Sequence, residues 1–590
     1  GSTNGLPTLE GEGGNVKNNT IRLNGAVTLT FKPVKWLTLE GMVAPRYVTT
    51  NNHTFVKKMK FYSDAFGTVS NSSNVAFNYL DESANRSFYG NYQFTAALQH
   101  TFAQNHNFKL LLGASRETYD NKTLSAHRED FAYPDYEVIG AGADNETKDN
   151  GGGHAQWALQ SFFGRLNYNF KERYLFEANV RFDGSSRFAK GNRWGIFPSF
   201  SGAWRLTEEP FMQDVRRTLS EFKIRASYGM LGNNNVALYR YQTIIDNSGN
   251  EIVNGNPDLT WEKVKILDAG IDLSLFGQKL EVTFDWFRKV TDDMIVNVPS
   301  TPSSGLLAAP MNVGKAEVKG YEIGVGFNHS FTKDIDFSIN LGYSYNKSKW
   351  LEITNDELIN GNTIYRKGHA IKEYYGYQAD HLLTQDDLDF RVPIIGGYDG
   401  ATTAQLPGDI RYVDTNGDKV ITTDDRVPLG DQDPHSVYYG NLSFRWKNLD
   451  FDMQVNGVGY VPIFYQGLIS NPLDPEYGGT PQRWHLDHWK AENPDRNAKL
   501  PRVTTDPGNN ALLSTFWKEN GAFVRIKYMQ LGYNFKALAK KIHAGNFRVY
   551  VNVQNPFTFT KVELIDPETK GTHTTYPMFK TYSVGLNVNF

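Results

Sequence analysis

Over long stretches of the chain apolar and polar side chains alternate residue by residue, and a period of two marks strands whose two faces meet unlike surroundings. At the C-terminal end Tyr582, Val584, Leu586, Val588 and Phe590 share one face, and Ser583, Gly585, Asn587 and Asn589 share the other. Tyr174, Phe176, Ala178, Val180 and Phe182 oppose Glu177, Asn179, Arg181 and Asp183 in the same way. A third run sets Phe337, Ile339, Leu341, Tyr343 and Tyr345 against Ser338, Asn340, Gly342, Ser344 and Asn346. Each apolar face lasts about ten residues, the length a tilted strand needs to cross a bilayer.

The pattern predicts about seventeen strands, among them 88–102, 107–118 and 173–183. Their connections are of two kinds. Short links fall near Lys32–Lys35, Gln104–Asn107, Lys171–Arg173, Gly277–Lys279, Thr332–Ile335 and Lys447–Leu449. Long polar stretches separate them, at 48–87, 119–154, 231–260, 347–435 and 457–518. Tight turns on one side and long loops on the other are the asymmetry of outer-membrane barrels, with the loops outside the cell. The fold class expected is therefore all-β, a transmembrane antiparallel β-barrel, with 347–435 and 457–518 as its longest extracellular loops. Bacterial single-chain barrels have an even number of strands. An odd count with a first strand running inward predicts further strands before residue 1, about five for a 22-stranded plugged transporter.

Composition narrows the picture further. No stretch approaches the ~18 apolar residues of a membrane helix, which leaves a strand-built membrane protein open. A net charge of −3 argues against a nucleic-acid partner, which normally demands a basic face. The absence of cysteine rules out disulfides and thiolate metal sites. The opening GSTNG has neither the basic nor the apolar region of a signal peptide.

Several blocks, in order, carry a family resemblance. They are RFDGSSRF followed by FPSFSGAW within 164–212, and NPDLTWEKVKILDAGIDLSLFGQKLEVTFDWFRKVTDD at 256–293. MNVGKAEVKGYEIGV at 311–325, PGDIRYVDTNGDKVITTDDRVPLGDQDP at 407–434, FVRIKYMQLGYNF at 523–535 and the terminal TYSVGLNVNF complete the series. Over nearly its whole length the chain resembles the C-terminal barrel of SusC-like TonB-dependent transporters. The resemblance implies import of a nutrient, glycan or peptide, together with a SusD-like lipoprotein that caps the long loops as a lid. It also implies energy from the TonB complex, contacted through an N-terminal region with extension domain and plug that is not in this sequence. Outer-membrane lipid and the barrel-assembly machinery are further implied partners, as is pairing into a dimer of transporter–lipoprotein units. Two rival readings are a structural or accessory barrel in a larger outer-membrane assembly and a siderophore or cobalamin receptor.

One local motif has chemical content of its own. In DTNGDKVITTDD, Asp414, Asn416, Asp418, the Val420 carbonyl, Thr422 and Asp425 stand at positions 1, 3, 5, 7, 9 and 12 of a calcium loop. A hard cation such as Ca2+ or Mg2+ takes several oxygens at about 2.0–2.6 Å, and this spacing lets one tight loop supply them. Lys419 replaces the usual glycine and Asp425 the usual glutamate, and the alternative is a turn held by its own side-chain-to-backbone bonds. His485 and His488 form an H-x-x-H with no Cys or Glu to complete a zinc site, so surface histidines on an amphipathic loop helix are expected. The loops are rich in aromatics, including Tyr374, Tyr375, Tyr377, Tyr438, Tyr439, Tyr465, Trp484 and Trp489. Sugar stacking and interfacial girdles both account for such a composition. No phosphate-cradling loop or nucleophile elbow is present, and catalysis is not expected. Phe590 ends the last strand on its apolar face and resembles the terminal signal read by the barrel-assembly machinery.

Overall fold

The structure is a computed structural model that describes all residues except 1–12, 60–76, 134, 246–250, 299–308, 390–392, 394, 396–404, 474–480, 507 and 570–577. It divides into two compact units. One comprises Gly1–Gly202, Tyr228–Lys265 and Thr291–Val313, and the other Ala203–Ser227, Ile266–Val290 and Gly314–Phe590.

In the first unit antiparallel neighbours follow one another along the chain. Gly14–Asn24 and Val27–Val34 both pair with Leu37–Val56, which is followed by Tyr79–Phe102, His106–Glu129, Asp149–Phe170 and Tyr174–Ser185. The interruption between the first two strands sits opposite Pro45, which has no N–H to give the ladder; Gly25 donates to its carbonyl at 3.0 Å. The second unit repeats the meander with Ala309–Thr332, Ile335–Glu352, Ser436–Trp446, Leu449–Val458, Phe523–Asn534, Asn546–Thr560 and Thr581–Asn589. Every strand expected from the alternation has its counterpart, and the all-β antiparallel class holds.

The two faces differ as the sequence pattern requires. On Tyr174–Ser185, Phe176 and Val180 are 44% and 47% exposed. The opposite face is a hydrogen-bonded lattice. Arg165 donates to Asn179 at 2.7 Å, Asn179 to Glu177 at 2.7 Å, and Arg181 to Asp183 at 3.0 Å. In the second unit Arg225 donates to Asp272 at 3.1 Å and Asp285 at 2.8 Å, while Lys223 adds a 3.0 Å bond to Asp272. Leu267, Ile271, Phe284 and Trp286 are exposed. Greasy faces of this extent are stable only against hydrocarbon, since a soluble monomer rarely leaves more than a few hundred Å2 of contiguous apolar surface bare.

Short turns join the strands where they were expected. Lys171 and Glu172 take φ of 55° and 56°, as do Ala103 and Gln104 at 45° and 61°. Consecutive left-handed residues twist a tight turn in the sense of the flanking strands. The loop side departs from the reading of the sequence. Strands placed at 88–102 and 107–118 run on as Tyr79–Phe102 and His106–Glu129, with Tyr79 opposite Glu129. Likewise Leu37–Val56 extends into the stretch 48–87, and Ile335–Glu352 enters 347–435. The backbone ladder continues where both faces are wet, so the alternation that reveals a strand stops before the strand does.

Exchanging Val180 for Arg places a charge on the apolar face. At mid-bilayer depth that costs about 2–4 kcal/mol, measurable by urea unfolding of the full-length protein in lipid vesicles. The neighbouring change Asn179→Arg, on the polar face, is expected to cost much less.

Candidate functional site

The two longest connections fold into one body within the second unit. The segment between Glu352 and Ser436 supplies a four-stranded antiparallel sheet of Glu357–Asn360, Thr363–Arg366, Glu373–Gly376 and Val427–Asp431. It also supplies the pair Ala379–Leu382 with Ile410–Tyr412. The segment between Val458 and Phe523 contributes Pro462–Phe464 paired with Lys518–Asn520. Tyr377, Leu382, Ile410, Tyr412 and Ile421 from the first connection pack with Trp489, Leu500 and Trp517 from the second. The connections thus share one hydrophobic core.

Polar latches fasten this core. Asp409 is 5% exposed and accepts from Arg502 at 2.6 Å and Asn510 at 2.7 Å. Asn510 returns its side-chain oxygen to the Ile410 N–H at 2.8 Å, and the Trp517 indole N–H donates to the Asn510 carbonyl at 2.7 Å. Gly408, at φ 92°, lies under the Trp489 ring where a Cβ would collide, so glycine is required by both backbone and space. A second latch joins Asp387 to Arg496 at 3.0 Å and to His381 at 3.0 Å. Burial alone would raise the Asp387 carboxyl, but the backbone N–H of Thr384, His381 and the Thr384 hydroxyl outweigh it and hold the group down to about 2.

Beside the core lies a cleft of about 700 Å3. Tyr465, Trp484, Phe516 and Trp517 form its aromatic wall, and Leu486 at its edge is 69% exposed, so the cleft opens to solvent. Charges of both signs line it: Arg483, Lys499 and Lys561 with Asp487, Glu519 and Glu563. Burial raises the Glu519 carboxyl, and the adjacent Glu563 raises it further against the pull of the Asn520 N–H. Burial likewise raises the Tyr465 phenol, helped by Glu519 and opposed by the backbone of Glu563 and Leu564. Just beyond Lys561–Leu564, Asp566 and Glu568 both pair with the fully buried Arg525.

The Asp414–Asp425 loop closes on itself. Asp414 accepts from the N–H groups of Gly417 at 2.6 Å and Lys419 at 2.8 Å, and Lys419 takes a φ of 71°. Asn416 accepts from Asp418 at 2.9 Å and Asp418 from Val420 at 2.8 Å. Asp425, wholly buried, accepts from the N–H groups of Thr415 at 2.7 Å and Thr422 at 2.8 Å. Thr422 caps the short 3-10 turn that holds Asp425. Among the described residues no three His, Cys, Asp or Glu side chains converge as a metal ion requires. The loop in this form is held by side-chain-to-backbone bonds.

Other expectations are revised. His485 is 3% exposed within a 3-10 turn, Arg483–Leu486, and burial lowers its imidazole. His488 bonds the His485 carbonyl at 2.7 Å. These are not surface histidines on an amphipathic helix, because the turn is one of the walls of a packed body. Tyr375, Tyr377 and Trp489 are buried, whereas Tyr439 is 54% exposed on Ser436–Trp446. Phe590 is 94% exposed just beyond Thr581–Asn589. Reading the sequence missed Asp387, Asp409, Arg496, Arg502, Asn510, Glu519 and Glu563. The Pro407-Gly408-Asp409 turn is the one local pattern that could have drawn attention to any of them.

The folded-state carboxyl of Asp387 lies below its unfolded value near 3.9, so the latch stabilises above about pH 4 and its contribution is lost as pH falls from there toward 2. Amide exchange across 379–389 and 494–500 is expected to quicken over that window in the native protein, and Asp387→Asn to show the fast rate at every pH.

Residues 3–459 match the sequence model of the family described as TonB dependent receptor-like, beta-barrel. Among curated proteins, TonB-dependent receptor P3 of Formosa agariphila is 28% identical over 82% of this chain and 51% of its own length. TonB-dependent receptor SusC of Bacteroides thetaiotaomicron is 28% identical over 73% of this chain and 44% of its own length. The chain thus spans about half the length of these relatives. Among solved structures, that of the RagAB peptide transporter superposes with a TM-score of 0.83 at 20% identity, covering 99% of this chain and 63% of that one. At this identity the likeness speaks to fold.

Proposed function

The chain belongs to the TonB dependent receptor-like β-barrel family, whose place is the outer membrane of Gram-negative bacteria, and from that membership we propose that it is the barrel of a nutrient importer. The cargo is an oligomer, glycan or peptide, received from a SusD-like surface lipoprotein and moved inward with energy from TonB. The observation that carries this reading is the packed loop body with its open aromatic cleft. Loops that only joined strands would have no need of a shared core, two buried latches and a cavity of ligand size. The body grows from the strand ends opposite the short turns, the side that faces outward in such barrels. Its outer surface is where the lipoprotein is expected to rest. No catalytic step is assigned to the chain, in keeping with the receptor family it belongs to.

In a host whose own copy is deleted, growth on the cognate oligomer is expected to require both the full-length gene and an intact TonB. Equal growth without TonB would overturn energy coupling, and equal growth without the gene would overturn import.

We propose further that the Asp414–Asp425 loop accepts Ca2+ or Mg2+ as a structural ion. The side-chain oxygens of Asp414, Asn416 and Asp418 each hold an N–H of their own loop, which leaves lone pairs on the same atoms for a cation. Terbium luminescence of the native protein is expected to rise to saturation, to be displaced by calcium, and to vanish in Asp414→Ala. A signal that never saturates would rule the ion out.

A further inference from the structure

The importer reading leaves open which kind of oligomer is carried, and the charges of the cleft bear on that choice. Four arginines of the loop body are matched with acids. Arg366 pairs with Glu357 at 2.7 Å, Arg411 with Asp380 at 3.0 Å, Arg496 with Asp387 at 3.0 Å and Arg502 with Asp409 at 2.6 Å. In the cleft the matching stops. Among the described residues no ion pair joins Arg483, Asp487, Lys499, Glu519, Lys561 or Glu563, although all six line one cavity.

Glu519 is the informative member. It is carried by the strand Lys518–Asn520, next in sequence to the buried Trp517, and is itself half-buried. A carboxylate partly withdrawn from water, near a second carboxylate and without a cation, is a group whose ionised form is poorly solvated. A bound ammonium would relieve both defects and would lie beside the aromatic wall, where a cation is also attracted to ring faces. The exposed Arg483, Lys499 and Lys561 then remain for an anion on the same ligand. A neutral glycan can hydrogen-bond to these groups but neutralises none of the six charges, and an acidic one gains from the bases while being repelled by Glu519 and Glu563.

We propose that this cleft binds a short zwitterionic peptide, its amino group taken by Glu519 and Glu563, its carboxylate by the basic side chains, and its apolar side chains by Tyr465, Trp484, Phe516 and Trp517. The assignment rests on the importer reading, of which it specifies the cargo class. Main-chain ends are common to all peptides, so the cleft selects for length and for free termini more than for sequence. A cavity of about 700 Å3 lies within the size range of pockets that hold small ligands.

Calorimetric titration of the purified full chain in detergent, with tri-leucine, tri-leucine acetylated and amidated at its ends, and maltotriose, tests this. Tri-leucine is expected to bind once per chain, and the blocked peptide at least about tenfold more weakly, the factor of one lost charge-assisted bond. Glu519→Gln is expected to lose a similar factor toward the free peptide and nothing toward the blocked one. Equal affinity for free and blocked peptide, tighter binding of maltotriose, or no saturable binding of tri-leucine would each overturn the proposal, and the comparison on unaltered protein needs no variant to fold. Maltotriose binding with TonB-dependent growth would leave import standing and remove the peptide assignment. Peptide binding with growth independent of TonB would do the reverse.

Discussion

Hydrocarbon offers a backbone no hydrogen-bond partner, and an N–H or carbonyl left alone there costs several kcal/mol. A chain that crosses lipid as strands must therefore give every strand neighbours, and the long antiparallel ladders of each unit meet that demand. The demand fixes side chains as well. Each residue in the ladder points to one of two faces, so the face against lipid must be greasy while the other can gather charges. Phe176 and Val180 on one side of a single strand, Glu177, Asn179 and Arg181 on the other, follow from that rule. Nothing in the charged lattice is needed to pull the strands together. It keeps that face polar at low cost where charges are paired, as Arg225 is with Asp272 and Asp285.

The same rule explains which parts of the fold were visible in the sequence. Where lipid meets one face, alternation is strict, and strands such as Tyr174–Ser185 and Ser436–Trp446 stand within a few residues of their expected places. Above the lipid both faces are wet. Residues 79–87 and 119–129 keep the ladder but lose the alternation, so they looked like loops. Turns were legible for a different reason: Lys171-Glu172 and Lys447-Asn448 are too short and polar to be anything else.

The loop body was the least legible part. Its contacts join residues far apart in the chain, such as Asp409 with Arg502 and Asn510, and no local pattern announces such a pair. Its strands are three to five residues long, too short for periodicity to carry much information. The calcium-like spacing of Asp414–Asp425 was plain, yet spacing does not say whether the oxygens turn toward an ion or toward their own backbone. His485 illustrates the same limit. Its neighbours Arg483, Leu486 and Asp487 are exposed, so burial of the imidazole could be found only from the fold.

Between the two connections that build this body lies the hairpin Ser436–Val458. Val437 and Val458, at the open end of that hairpin, are already paired, and Trp489, Leu500 and Trp517 packed on Leu382 and Ile410 staple the chain together once more beyond it. A change that loosens either connection therefore releases the other as well.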